Sequence, residues 1–565
     1  MVAQTREMKP ERWSPARAAL VVFVVTAALC GVRLGSPGLT EPDEGRFAAV
    51  AHSMWLDKDF VTPRINGFVY LDKPPLLHWV TALSIGLLGP NEFAVRLSSL
   101  LAGAAGVALT YAFGRRVAGH HAGLASAAVL GTGVMWFAVS RVIRYDMLLA
   151  LSITATIWCA WLGSEAGREG RRYWCYAATS TALGILVKGP VALALPLLTL
   201  LVYLAAVRRL RVLLEVPWPA CIAIVVLIAG PWFVLCERAN PGAMRFFFLR
   251  ENLARVTGGI ARTHVEPWWF FLPIMLGACF PWTLFLPGAL ADGCGEWRHG
   301  SDEQQRACVL WVLWAGLTIA VFSLPQVKVW TYILPAMPAV ALLIGRHVSS
   351  GRGWGMLLTS AVFVAGSVVW LTVGGREAAE RQVPTSPLLP ALATVWLICG
   401  LGALTQAALR TPKLALVALA VGALGTYHLG VRVAELMPDF PSDKTVAAKV
   451  ADLRRPGERI FCVRELSRGG LFYLDARAAV FGKVPDEYDF PPNVARLGGW
   501  VYPMDEARGV LATGPSAIIL CRRGHWDEFR AAAGDVVEPI NDSGKYLILR
   551  SKPTKAAGPA EGDGG

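Results

Sequence analysis

Apolar runs of about the length needed to cross a bilayer recur along the whole chain. They lie near residues 18–34, 95–114, 121–140, 146–163, 174–187, 190–207, 217–236, 267–290, 307–325, 329–345, 354–373, 387–409 and 414–432. A hydrocarbon core of roughly 30 Å takes about 20 residues of helix, and some of these runs sit near the lower limit. The pattern predicts an α-helical polytopic membrane protein with about 13 transmembrane helices. Composition agrees, because 54% of the 565 residues are hydrophobic and only 17% are charged. A soluble chain of this length is less apolar, so length here counts spans and not soluble domains.

The formal charge of +13 would suit nucleic acid, but the basic residues fall in short clusters between apolar runs. Such clusters orient helices and do not build one basic face, so no nucleic-acid partner is expected. The 11 Cys lie mainly in apolar stretches (Cys159, Cys221, Cys236, Cys279, Cys399) with no CxxC spacing. They read as small membrane hydrophobes, with neither a disulfide framework nor a zinc site indicated. The first apolar run has a basic flank but no convincing small-residue cleavage site, which predicts a retained span and not a removed signal peptide.

Orientation follows from the basic clusters. If Arg6, Lys9, Arg12 and Arg17 are cytoplasmic, alternate loops should also be basic, and they carry Arg115/Arg116, Arg168/Arg171/Arg172, Arg208/Arg209/Arg211, Arg298/Arg306, Arg346/Arg352 and Arg410/Lys413. An odd number of spans then places the C-terminal part outside. The expected plan is a transmembrane domain over 1–440 with external loops 35–94 and 237–266, an external α/β domain over 441–551, and a disordered tail over 552–565. In loop 35–94, "FAAVAHSMWL" and "PPLLHWVTALSIGLLG" are too short or too mixed to span and suit helices at the membrane surface. In 441–551, "RIFCVRE", "SAIILCRR" and "YLILR" read as buried strands, and "KTVAAKVADLRR" and "HWDEFRAAAG" as helices.

Within the apolar cores there is essentially no Asp, Glu, Lys or Arg apart from edge residues. An ion-coupled transporter holds an ionisable group near mid-membrane, and a flippase needs a polar passage, so both readings lose ground. Charged residues instead collect at the external ends of spans: Asp43 and Glu44, Asp72 and Lys73, Arg144 and Asp146, Lys188, Arg255, His264 and Lys328. A carboxylate there can act as base toward an acceptor, while Lys and Arg neutralise a phosphate leaving group. An external enzyme has no nucleotide-sugar supply, so a lipid-phosphate donor, with no nucleotide cofactor, fits this compartment.

At these residues the chain resembles a known family. "EPDEGRFA", "YLDKPPLLHW", "SRVIRYDMLL", "LGILVKGPVAL", "HVEPWWFFLPIMLGACFPW" and "KVWTYILPAMPAVALLIG" look like successive motifs of the bacterial aminoarabinose transferase of lipid A, within the GT-C superfamily that includes protein O-mannosyltransferases. The resemblance implies a multi-pass inner-membrane enzyme with a cytoplasmic N-terminus and its active site and C-terminal domain in the periplasm. It implies inverting transfer of a sugar from a polyprenyl-phosphate donor, aminoarabinose on undecaprenyl phosphate, to lipid A phosphate. The other reading within the class is a mannosyl or hexosyl transferase acting on protein or another envelope glycan.

Carried over motif by motif, the resemblance makes Asp43 the catalytic carboxylate and Asp146 a second one. Lys73, Lys188, Arg144, Arg255, His264 and Lys328 become donor-phosphate or substrate contacts. A divalent metal is a possible cofactor, with Asp72 as a ligand and Glu44 as a weaker candidate. One departure is visible: the family generally has Glu-Lys-Pro where this chain has Asp72-Lys73-Pro74, followed by Pro75. The shorter carboxylate shifts any sugar or metal contact by about one methylene.

Plainer structural readings apply to the same residues. Thr40, Glu41, Asp43 and Glu44 suit a helix N-terminus. "LDKPP" suits a turn, Arg144 and Asp146 an interfacial pair, Lys188 a helix C-terminus, and His264 a structural loop histidine. Trp268, Trp269 and Trp282 suit an interfacial belt or packing.

Overall fold

Helices occupy all thirteen apolar runs in the computed structural model, which describes residues 14–254, 265–296, 302–350, 354–369, 372, 388–409, 411–436 and 440–552. In chain order the first ten α-helices are α1 (Pro15–Gly31), α2 (Asp43–Asp57), α3 (Leu76–Leu88), α4 (Glu92–Ala118), α5 (His120–Gly131), α6 (Val134–Ser140), α7 (Tyr145–Glu165), α8 (Arg171–Lys188), α9 (Val191–Ala206) and α10 (Trp218–Ala239). Among the described residues, 7 helices are long and apolar enough to cross a membrane, or up to 9 if each of two bent pairs is one span. The remaining apolar helices are shorter, α1 with 17 residues and α9 with 16 among them. Length and composition of the described helices thus account for 7 to 9 of the about thirteen expected spans, and an apolar run in sequence need not be one unbroken helix.

The chain divides into two compact units. The first comprises Met1–Leu34, Arg96–Phe233 and Leu249–Ala434 and holds most of the apolar helices. Its interior is aromatic: Phe113 packs against Trp158, Trp161 and Trp311, with ring centroids 5.8, 5.1 and 5.7 Å away. On α4, Gly103 and Gly106 give α6 a close approach. The Trp136 indole donates to the Gly103 carbonyl at 3.1 Å, and a Cβ at Gly106 would fall 2.4 Å from the same ring. Small residues at helix contacts serve this purpose where lipid offers no hydrophobic drive to association.

Both bent pairs belong to this unit, and they support each other. α5 and α6 meet at 65°, and Phe271–Ala278 meets Trp282–Gly295 at 108°. The run 267–290, expected as one span, is broken because Pro281 has no N–H and its ring clashes with the preceding turn. Gly131 and Gly133 weaken the helix around Thr132 in the same way that any helical glycine does. A broken helix at membrane depth must find partners in protein for the freed backbone groups. Here Val134 N–H donates to Phe280 O at 3.0 Å, and Trp282 Nε1 donates to Thr132 Oγ1 at 3.0 Å. The Tyr427 hydroxyl stands 2.9 Å from both the Thr132 and Phe280 carbonyls.

The second unit comprises Gly35–Val95, Val234–Phe248 and Glu435–Gly565. It contains the two-stranded ribbon β1 (Arg64–Ile65) and β2 (Phe68–Val69), then β3 (Arg459–Val463), β4 (Ala478–Phe481), β5 (Val501–Tyr502), β6 (Ala517–Arg522), β7 (Val537–Asp542) and β8 (Tyr546–Ser551). The six later strands form one sheet in the order β5-β4-β3-β6-β8-β7. The first four pair in parallel, and β8 and β7 are antiparallel. The strands expected at "RIFCV", "AIILCR" and "YLILR" are present, as are helices Lys444–Leu453 and Trp526–Ala533. β3 and β6 are central and nearly continuous in apolar residues, as a parallel sheet covered on both faces requires. Phe461 and Phe481 stack at 4.8 Å in its core, while Pro539 sits on the edge strand β7, where no ladder donor is lost.

Two buried asparagines tie loop 35–94 to the C-terminal region, one at strand β4 and one in the short helix Pro491–Arg496. Asn66 bonds both the nitrogen and the carbonyl of Ala478 (3.0 and 2.7 Å), and Asn493 does the same to Val69 (3.1 and 2.8 Å). Each amide side chain replaces a missing strand neighbour, satisfying one donor and one acceptor at once.

Candidate functional site

The stretch "LTEPDEGRF" changes direction before it becomes helix. Glu44 accepts from the Thr40 N–H at 3.0 Å and from the Thr40 hydroxyl at 2.9 Å, while its own N–H donates to Thr40 O at 3.0 Å. These bonds fasten the residues ahead of α2 to its first turn, where Glu44 is 1% exposed. Glu44, the weaker metal candidate, is thus placed as a helix-start residue. Glu41 turns the other way and accepts from the Gly469 N–H at 2.5 Å. Gly45 is needed there, since a Cβ would lie 2.0 Å from Glu41 Oε1 and 2.6 Å from Gly469 N.

Asp43 and Arg46 are three residues apart on α2 and so share a face. The Arg46 Nη2 lies 2.5 Å from Asp43 Oδ1, and its Nη1 lies 3.7 Å from Glu487 Oε1. Burial works against the Arg46 charge, but Tyr70, Asp43, Asp72 and Glu487 together outweigh it and hold its pKa above the usual arginine range. Arg46 is the centre of this group, and its role was not read from the sequence, where it is one more basic residue beside a helix start.

Asp72 and Lys73 form the other side of the group. The Tyr70 hydroxyl donates to Asp72 Oδ2 at 3.0 Å, and Lys73 Nζ donates to Asp72 Oδ1 at 2.7 Å and to the Asp72 carbonyl at 2.8 Å. Pro74 and Pro75 delay the helix, so that α3 begins at Leu76 after this turn. His78, fully buried on α3, is pushed down to about 3 by burial and is therefore neutral. Among the described residues no three His, Cys, Asp or Glu side chains are grouped so that they could hold a metal ion. The Asp72 carboxylate, the first metal candidate, is occupied by Lys73 and Tyr70.

In the helical unit a second cluster forms where the N-terminus of α7 meets the C-terminus of α8. Asp146 Oδ1 lies 2.5 Å from Lys188 Nζ, and its Oδ2 accepts from Thr331 Oγ1 at 2.8 Å. An acid in a first turn and a cation at a helix end each complement the local dipole. Lys188 also stands 4.5 Å over the Tyr332 ring, and Arg144, the N-cap residue of α7, 5.9 Å over the Trp330 ring. Lys328 is 3% exposed and donates to Glu266 O at 2.8 Å. Thr331, Trp330 and Tyr332 were not singled out in the sequence; their only signal is position beside Lys328. Arg255 and His264 lie outside the described residues.

Residues 72–234 match the family model described as dolichyl-phosphate-mannose-protein mannosyltransferase. The undecaprenyl phosphate-alpha-4-amino-4-deoxy-L-arabinose arabinosyl transferase of Pseudomonas aeruginosa (strain UCBPP-PA14) is 33% identical over 318 residues, 56% of either chain. A transferase of the same description from Pseudomonas fluorescens (strain Pf0-1) is 31% identical over 343 residues, 60% of this chain and 58% of that one. The matched part thus spans little more than half the length of these relatives. The fold agrees over a longer stretch. ArnT from Cupriavidus metallidurans bound to undecaprenyl phosphate superposes with a TM-score of 0.79 at 24% identity, covering 95% of this chain and 98% of that one. Its apo form gives 0.77 at 25% identity over the same shares. This multi-span chain is thus similar to the aminoarabinose transferases over little more than half of its length and shares the fold of the ArnT structures over nearly all of it.

Proposed function

We propose that this protein transfers aminoarabinose from undecaprenyl phosphate to a lipid A phosphate at the periplasmic face of the bacterial inner membrane, its N-terminus being cytoplasmic. The observation that carries the reading is the group around Arg46, where the carboxylates of Asp43 and Glu487 flank one guanidinium, with Tyr70 and Asp72 in electrostatic reach, outside the long apolar helices. Asp43, with 28% of its side chain exposed, is the base. It takes the proton from the acceptor phosphate as that oxygen bonds to the anomeric carbon. The bond from that carbon to the donor phosphate breaks, and undecaprenyl phosphate leaves with the electron pair. Lys73 neutralises the departing phosphate; Arg144, Lys188, Lys328, Arg255 and His264 contact donor or acceptor, and Asp146 holds Lys188. Such charge stabilisation in a water-poor site is worth several kcal/mol.

The similarity of residues 72–234 to protein mannosyltransferases favours, as a second reading, transfer of a hexose to protein or another envelope glycan. Mass spectrometry of lipid A separates the two, comparing host strains with the protein, without it, and with Asp43→Asn. An aminoarabinose adduct found only with the intact protein supports the first reading. Identical lipid A in all three strains moves the acceptor to glycoproteins or other glycans. In vitro, Asp43→Asn should cost about 10²- to 10⁴-fold in turnover, as expected when a positioned base is lost.

A further inference from the structure

We propose that Glu487, in the C-terminal part of the second unit, is a positioning residue for Asp43 and acts through Arg46. The inference rests on the reading of Asp43 as the base and gives the C-terminal region a part in the chemistry. Glu487 sits in the short turn of helix Asp486–Tyr488, and its side chain is 1% exposed. A carboxylate so deeply buried is expensive unless paired. Its Oε1 is paired with Arg468 Nε and faces Arg46 Nη1 at 3.7 Å. Its Oε2 is buried and, among the described residues, has no hydrogen-bond partner. An isolated structural ion pair would need only Arg468; the second cation within reach is the one that holds Asp43.

A guanidinium is planar, and its nitrogens keep a fixed relation to one another. With Nη1 toward Glu487 and Nη2 2.5 Å from Asp43 Oδ1, the plane that holds Asp43 is set from the opposite end of the chain. Arg46 Nε is buried without a hydrogen-bond partner among the described residues, so no hydrogen bond at that nitrogen fixes the plane. The two carboxylates also divide one positive charge. Glu487, in the less polar surroundings, takes a larger share than its distance suggests. Loss of the Glu487 charge removes the partner at Nη1 and leaves the guanidinium that holds Asp43 without that anchor.

The test uses the full-length protein with undecaprenyl-phosphate aminoarabinose and lipid A, measuring kcat and KM separately. Glu487→Gln should lower kcat about tenfold, as loss of a supporting hydrogen-bond or charge partner does. KM for the donor should change little, because Glu487 acts through Arg46. Glu487→Asp keeps the charge and should restore most of kcat; it carries the test if the Gln variant does not fold. In an Arg46→Lys background, which has no plane to aim, Glu487→Gln should have little further effect on kcat. Wild-type kcat in Glu487→Gln, or the same further loss of kcat in the Arg46→Lys background, would overturn the proposal. Normal turnover in Asp43→Asn, by contrast, removes the reading of Asp43 itself, whatever Glu487 does.

Discussion

Lys188 Nζ lies 2.5 Å from Asp146 Oδ1 although the residues belong to different helices, and both side chains are nearly buried, at 13% and 10% exposure. Removing one member of a buried pair leaves the other uncompensated, at a cost of about 3–5 kcal/mol, whereas replacing both by apolar residues is often close to neutral. Thermal unfolding in detergent should therefore rank Lys188→Met and Asp146→Leu well below the native protein. The double variant should recover much of the loss. Losses that simply add would mean that the two residues act independently.

The Tyr427 hydroxyl holds the carbonyls of both helix breaks, Thr132 and Phe280. Tyr427→Phe keeps the ring but removes the single O–H that the two carbonyls share, leaving Phe280 O its Val134 N–H, with an expected cost of about 1–3 kcal/mol. The melting temperature of the purified protein measures it. An unchanged value would show that the breaks are satisfied without this side chain.

Glu41 should make stability depend on pH. Burial, with the neighbouring Asp443 carboxylate adding to it, pushes the Glu41 pKa well above the usual range, and the Gly469 N–H and Arg468 only partly oppose this. The folded state then favours the protonated form. Its contribution is full below the unfolded value of about 4.3 and is lost as pH rises through the raised folded value. Melting curves taken across that window should fall with pH in the native protein and fall less in Glu41→Gln. The same slope in both would assign the effect to other groups.

Gly45 should tolerate no side chain. A Cβ there would overlap Glu41 Oε1 and crowd the Gly469 nitrogen, one of them backbone and the other held by it. Overpacking of this kind typically costs about 1–3 kcal/mol. Gly45→Ala should lower the yield of folded protein and the melting temperature together. A fully stable Gly45→Ala protein would show that Glu41 can leave Gly469 at little cost.

Much of this molecule is legible locally. Apolar runs mark the helices, alternating and continuous apolar stretches mark strands β3, β6 and β8, and the order of the short motifs points to the GT-C fold. These signals survive because hydrophobic period and turn chemistry act between residues near one another in sequence. The interruption of run 267–290 was equally visible at Pro281, but an apolar window averages over a single break. Asp43, Asp72, Asp146 and Lys188 stand out as charges at the ends of apolar runs, so the candidate residues could be named in advance.

Their partners could not. Asp146 meets Lys188 and Thr331 only because α7 packs against both α8 and the helical turn Trp330–Ala336. Asp43 is held by Arg46, and Arg46 faces Glu487, more than four hundred residues later. Neither Glu487 nor Asn493 has a local pattern to distinguish it from any other polar residue in a loop. Their importance comes from burial: a charge or amide removed from water must find a partner wherever the fold supplies one. The residue types were written in the chain, and the pairing was decided by which distant segments the apolar helices and the sheet bring within hydrogen-bond reach.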